Sequence, residues 1–161
     1  MPSTWSALIV IHAVCASYAL LFGLVQLLRR KGDRPHRILG WVWVGTMAVA
    51  LVTSFGILTI SGSFGILHGL SLFTSGTIAV GVIQARRRRI RSHRAFMIGS
   101  YLGLLGAFVG VLAVPARRIP QLAIHEPWLL GVFVLIVAAS TAMTVLGVLW
   151  ARRPSGVAAA E

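Results

Sequence analysis

The chain alternates long apolar segments with short polar ones. Five segments contain no Asp, Glu, Lys or Arg, and each has the length of about 20 residues that a helix needs to cross roughly 30 Å of hydrocarbon. They run approximately from Trp5 to Leu28, Ile38 to Ile60, Phe64 to Ala85, Ala95 to Val114 and Trp128 to Trp150. The pattern therefore predicts an all-α integral membrane protein with five transmembrane helices.

The polar breaks between these segments have the composition of loops. They are Gly32 to Pro35, Ser61 to Ser63, an arginine run over 86 to 94, and a proline-bounded stretch from Pro115 to Pro127. Apolar residues make up 57% of the chain, which is more than a soluble globule with a polar surface carries. We therefore predict that residues 1–161 form a single membrane domain.

The basic residues are distributed unevenly among the loops. All but two of the 15 lie in the first loop, the third loop or the C-terminal tail, and the exceptions are Arg117 and Arg118. Because cytoplasmic loops carry the excess of Lys and Arg, this bias predicts an N-terminus outside and a C-terminus in the cytoplasm. The net charge of +12 then reflects topology and contact with anionic lipid headgroups at the cytoplasmic face. A nucleic-acid partner is not needed to explain it.

An internal repeat organises the first four segments. Gly23-Leu-Val-Gln26, followed by basic residues and His36-Arg37, recurs as Gly81-Val-Ile-Gln84, followed by basic residues and His93-Arg94. We expect repeat 1 over about residues 5–60, repeat 2 over about 64–114, and an added helix over about 128–150. Since both copies run in the same direction, they predict a four-helix bundle with a pseudo-twofold axis along the membrane normal.

One histidine on each of these four segments is the feature that points to chemistry. The repeat pairs His12 with His68 in the outer half and His36 with His93 near the cytoplasmic edge. Two imidazoles facing each other from different helices are the axial ligands of a b-type haem. The leading hypothesis is thus a haem b protein in transmembrane electron transfer, an oxidoreductase or a component of one. These four histidines would be iron ligands, and Arg37 and Arg94 would neutralise the propionates.

Several other interpretations of the same residues stay open. His36 and His93 lie at predicted helix starts next to arginines, Arg37 and Arg94, and Ser92 is a potential N-cap. Such helix starts suit anions. The protein would then be a non-redox binding or assembly protein that grips lipid or other anionic groups. His12 and His68 are also explained as hydrogen-bonded core histidines. A third possibility is a copper or zinc site begun by His12 and Cys15, or a small-solute carrier. His125 is expected at the surface.

Four glycines form a stripe along the fourth segment. They are Gly99, Gly103, Gly106 and Gly110. Their spacing leaves one bare helix face, on which a flat macrocycle or another helix could lie. Close helix packing explains the stripe equally well, and a homodimer or a larger membrane complex is therefore a further possibility.

A family resemblance rests on the same histidines. His12, the segment His36-Arg37-Ile-Leu-Gly40 and the segment His93-Arg94-Ala-Phe-Met97 resemble an uncharacterised bacterial group, domain of unknown function 2306, over roughly residues 8 to 112. The resemblance implies a multi-pass protein of the bacterial inner membrane and brings no established activity. The arrangement of one histidine on each of four consecutive helices is also similar, by architecture alone, to that of cytochrome b561.

Overall fold

The computed structural model describes residues 7–61, 65–114 and 118–150. These residues form six helices: α1 (Ala7–Leu28), α2 (Arg34–Ser61), α3 (Ile66–Arg86), α4 (Ile90–Leu112), α5 (Arg118–His125) and α6 (Pro127–Trp150). No strand occurs among them. The all-helical prediction is therefore confirmed for the described part of the chain.

Four of the described helices are long and apolar enough to cross a membrane. They are α1, the Arg34–Ile57 part of α2, α4 and α6. The remaining predicted span, the third in chain order, corresponds to α3. This helix is not among the four, and its 21 residues include His68 and four hydroxyl residues. The chain is thus a multi-pass helical membrane protein.

Two tight turns fold the first four helices into hairpins. In the first turn Gly32 has a φ of 91°, a left-handed conformation that glycine adopts without steric cost. In the second turn Arg88 takes a φ of 58°. Consequently α1 packs along α2, and α3 packs along α4, over much of their lengths.

The two hairpins close into a four-helix ring. Contacts between α2 and α3 and between α1 and α4 join them, whereas no Cα atom of α1 lies within 8 Å of one of α3, and the same holds for α2 and α4, in the described residues. These two pairs are therefore the diagonals of the ring. The sixth helix, α6, packs outside the ring against α1 and α2, and there the hydroxyls of Tyr18 and Ser140 are hydrogen bonded.

A core with three aromatic side chains fills the middle of the ring. Its buried members are Ala19, Phe22, Leu39, Trp43, Met47, Ile78 and Tyr101. The indole Nε1 of Trp43 donates to the Ala19 carbonyl at 2.9 Å, so the aromatic layer also ties α2 to α1. At the equivalent positions of the second hairpin, the hydroxyls of Ser100 and Thr77 lie 2.9 Å apart. The two bonds occupy equivalent positions, but the first goes to a backbone carbonyl and the second joins two side chains.

The loop predicted between Pro115 and Pro127 contains a short helix instead. Residues Arg118–His125 form α5, which contacts α4 and α6. Pro120 is compatible with this helix because it lies in the first turn, where its missing N–H would have no partner. Trp5, residues 62–63 of the second break, residues 115–117 and the basic tail residues Arg152 and Arg153 lie outside the described residues.

Candidate functional site

His36 lies at the end of the ring where the two arginine-rich turns meet, which we call the Arg-rich end. Its ring Nδ1 is 3.2 Å from Gln26 Oε1, and Gln26 Nε2 donates to the His36 carbonyl at 2.8 Å. Because a carbonyl only accepts, this second bond fixes which end of the Gln26 amide is oxygen. Nδ1 of His36 is therefore the protonated nitrogen, and Nε2 carries the lone pair of the neutral ring.

Asp33 fixes the backbone beneath the His36 ring. Its Oδ1 accepts a hydrogen bond from the His36 N–H at 2.8 Å, and its carbonyl accepts from the Arg37 N–H at 3.2 Å. These two bonds make Asp33 the N-cap of α2. The same carboxylate, through Oδ2, accepts from Arg29 Nη2 at 2.8 Å. Asp33 thus connects His36 to the end of α1.

His93 has a comparable arrangement in the second hairpin. Its Nδ1 is 2.9 Å from the Gly81 carbonyl on α3, so Nδ1 is again the donor and Nε2 again carries the lone pair of the neutral ring. The helix α4 begins at Ile90 with Arg89 at the N-cap position. The expectation of Ser92 as N-cap is therefore wrong, because α4 starts one turn earlier and Ser92 lies within it.

The structure brings His36 and His93 to the same end of the ring on opposite helices. The charge of His93 acts on the His36 imidazole, as do the charges of Asp33, Arg29 and Lys31. A hydrogen bond from Nδ1 to an oxygen is the usual means of orienting an imidazole whose Nε2 binds a metal. The donor set at this end thus consists of two oriented imidazoles in a mainly cationic surrounding.

The arginines chosen from sequence do not lie inside this end. Arg37 and Arg94 are both exposed, whereas the side chain of Arg29 is only 16% exposed. Arg29 and Gln26 are functional candidates that the sequence analysis did not select. For Arg29 the available signal was Asp33 four residues later, a spacing that pairs opposite charges along a helix turn.

His12 is held within the first hairpin, toward the opposite end of the ring. Its Nδ1 lies 2.9 Å from the Ala50 carbonyl and 3.2 Å from Thr53 Oγ1. The carbonyl requires Nδ1 to be the donor, which leaves Nε2 with the lone pair when the ring is neutral. His12 therefore has the same orienting bond as His36 and His93.

His68 differs from the other three histidines in the position of its ring proton. Its Nδ1 accepts a hydrogen bond from the Gly65 N–H at 3.2 Å, so the neutral ring carries its proton on Nε2. The His68 side chain thereby caps the first turn of α3, as the third residue of a capping box does. Its ring also lies beside Phe55, with 6.5 Å between the ring centroids.

The donor set at the opposite end consequently does not fit a bis-histidine haem. An iron ligand needs an unprotonated nitrogen, and the Nε2 of His68 is protonated in this arrangement. The Nδ1 of His12 is bonded to α2, whereas the Nδ1 of His68 is bonded to the start of α3, with the ring beside Phe55 of α2.

The remaining candidates are spread over the outer surface of the ring. Gly99, Gly106 and Gly110 are exposed, and a Cβ added at any of them would meet no atom within 4 Å. Gly103 differs, because a Cβ there would lie 3.5 Å from Thr74 Oγ1 on α3, so only three of the four glycines face away from the bundle. Cys15 is a free, half-buried thiol, and no group of three His, Cys, Asp or Glu side chains suited to a metal ion occurs in the described residues. His125 is exposed.

Comparison with known proteins identifies a family but no characterised relative. A family model described as "Predicted membrane protein (DUF2306)" matches residues 9–119, which is more than half of the chain and close to the range of the predicted resemblance. No curated protein and no solved structure matches the chain. The likeness to cytochrome b561 is not shown by these comparisons.

Proposed function

The chain belongs to the DUF2306 family of predicted membrane proteins, and from that premise we propose that it is a b-type haem protein of transmembrane electron transfer, with its haem site at the Arg-rich end. His36 and His93 would hold its iron. When bound, haem supplies a one-electron carrier. The residues of the chain hold and orient the two imidazoles.

The observation that carries the proposal is the shared orientation of these two rings. Each donates Nδ1–H to an oxygen of the neighbouring helix in its own hairpin, at 3.2 Å for His36 and 2.9 Å for His93. This hydrogen bond fixes the tautomer and raises the basicity of Nε2. The rings belong to diagonal helices, so an iron between them would not compete with a helix contact. The donor chemistry therefore fits a bis-imidazole iron.

We limit the proposal to one haem. His68 Nδ1 accepts the Gly65 N–H, which leaves the ring proton on Nε2 and does not fit a second iron at the opposite end. The buried core of Phe22, Trp43 and Tyr101 also lies between the two ends. His12 and His68 are better explained as hydrogen-bonded structural residues.

The proposed topology has five spans in a bacterial inner membrane, with the N-terminus outside. In this topology α3 also spans the membrane, as the third span in chain order, because it packs along α4 between the same two ends. The Arg-rich end faces the cytoplasm. Fusion of alkaline phosphatase or green fluorescent protein to the C-terminus tests the orientation: we expect fluorescence without phosphatase activity. The reverse pattern would contradict it.

A second candidate function is contact with anionic lipid headgroups. The side chains of Arg37 and Arg94 are exposed at the Arg-rich end, as are those of the run from Arg86 to Arg89 and of Arg91. Clusters of this kind bind anionic headgroups beside the cytoplasmic ends of membrane helices. This function is compatible with haem binding, because it uses different side chains.

The test of the haem proposal is an absorption spectrum of detergent-purified protein from haem-replete cells. We expect a Soret band, reduced α and β bands after dithionite, and about one haem per chain in a pyridine haemochrome assay, since one bis-imidazole site is present. A colourless preparation that is folded by circular dichroism would retire haem binding. Two haems per chain would contradict the limit to one site.

A further inference from the structure

The Arg-rich end contains two buried polar atoms that have no hydrogen-bond partner. They are Arg29 Nη1 and Gln84 Oε1, and the described residues contain no other buried side-chain atom of this kind. Gln84 lies in the last turn of α3, and Arg29 follows the last residue of α1. Buried polar groups are nearly always paired, so an unpaired one indicates a partner outside the protein's own side chains.

Arg29 is held in place by its other nitrogen. Nη2 donates to Asp33 Oδ2 at 2.8 Å, and the side chain is 16% exposed. Asp33 in turn accepts from the His36 N–H through Oδ1. The guanidinium is therefore fixed beside the helix start that carries His36. Leaving an N–H of a charged group buried without an acceptor costs more than leaving a neutral one, which favours an additional acceptor at Nη1.

The charges around Arg29 determine the kind of acceptor. Asp33 is the acidic residue of this turn, and Arg29, Arg30, Lys31 and Arg34 are its basic residues. One carboxylate does not balance these cations. An anionic oxygen is hence the acceptor that the surrounding favours, because it adds charge neutralisation to the hydrogen bond.

We infer that Arg29 contacts the acidic group of a molecule bound at the Arg-rich end, through the N–H of Nη1. The shared chemistry is a carboxylate or phosphate oxygen. One source, a haem propionate, rests on the proposed function; the other, a lipid phosphate, does not depend on it. Arg29 takes the role that the sequence analysis gave to Arg37 and Arg94, whose side chains are exposed.

The test compares Arg29→Gln and Arg29→Lys with a matched control, Arg30→Gln. Arg30 is the exposed neighbour of Arg29. Its substitution by Gln removes the same charge from the same loop. Arg29→Lys keeps the positive charge and a hydrogen-bond donor for Asp33. It therefore serves as the test variant if Arg29→Gln does not fold. Haem dimethyl ester, which lacks the propionate charges, serves as the probe for the first source. Phosphatidylglycerol retained from nanodiscs, measured by native mass spectrometry against phosphatidylcholine, serves for the second.

For a haem propionate, we expect both Arg29 variants to weaken haem binding, Arg29→Gln by about tenfold or more, while binding of the dimethyl ester is the same as in the parent protein. For a lipid phosphate, both variants lose retained phosphatidylglycerol and the haem affinities stay equal. Arg30→Gln should behave as the parent protein in both assays. Variants of Arg29 that match Arg30→Gln in both assays would overturn the inference. A parent protein without haem retires the proposed function alone, and the lipid assay then decides.

Discussion

The two hairpins solve the same packing problem with different side chains. In the first, Gly23 lets the rings of Tyr101 and Trp43 approach the backbone of α1, and a Cβ at this position would lie 2.8 Å from Trp43 Nε1. In the second, the equivalent Gly81 is covered by Met97 and Phe96. The comparison teaches that the repeat preserves the close approach and the oriented histidine, whereas the side chains around them differ.

The largest expected effect tests whether the hairpins contribute equally to one site. We expect His36→Ala and His93→Ala each to abolish the Soret band, because one imidazole cannot supply both axial nitrogens. Absorption spectra of the purified variants measure this. His68→Ala is the matched control on the same four-helix ring and should keep the band. Loss of the band in His68→Ala alone would move the site to the opposite end.

The next effect separates the two orienting bonds. Gln26→Ala removes the side chain that orients His36, and loss of such an outer partner typically lowers metal-site affinity by about 10- to 100-fold. Gln84→Ala, at the equivalent position, should change haem affinity less, because His93 is oriented by the Gly81 carbonyl. Haem transfer to apomyoglobin measures both. Equal rates in the two variants would show that Gln26 does not orient the ligand.

A third effect concerns the glycines of the repeat. Gly23→Ala places a methyl group against two rings of the core and should lower the free energy of unfolding by about 1–3 kcal/mol. Gly81→Ala should cost less, since the nearest side-chain atom is the terminal methyl of Met97, whose chain is flexible. Thermal unfolding in detergent, followed by circular dichroism, compares them. Gly45→Ala, where a Cβ meets nothing within 4 Å, is the control and should be neutral.

The smallest effect is expected at the bonds that join each pair of helices. Ser100→Ala loses a hydroxyl bond to Thr77, and such interhelical bonds in membranes are worth about 0.6 kcal/mol on average. Trp43→Phe should cost more, because it loses the bond to Ala19 and also leaves core volume unfilled. The same unfolding assay measures both. A larger loss in Ser100→Ala would mean that the second hairpin depends on its polar contact more than the first.

The sequence predicted the helices better than the contacts of the site. Hydrophobic segments and turn residues located α1 to α4 and α6, and the shared Gly-X-X-Gln pattern marked the hairpins. The short α5 was missed because Pro120 is also typical of a loop.

Within the site, the sequence identified His36 and His93 but not the residues that hold them. His-Arg pairs drew attention to Arg37 and Arg94, yet successive residues of a helix point in different directions, and those arginines are exposed. Arg29 and Gln26 lie across the turn from His36. Their proximity depends on the left-handed turn at Gly32. The tautomer of His68 likewise depends on the start of α3, which a sequence pattern does not define to the residue.

The position of α6 distinguishes the first hairpin from the second. In the predicted duplication, the two hairpins occupy equivalent places in the ring. The helix α6 packs on α1 and α2, and its Ser140 is hydrogen bonded to Tyr18. The outer face of the first hairpin is therefore covered by another helix. Neither helix of the second hairpin packs on α6, and α4 contacts the short α5 instead. Substitutions on the outer face of the first hairpin therefore have to fit against α6, whereas those on the second hairpin do not.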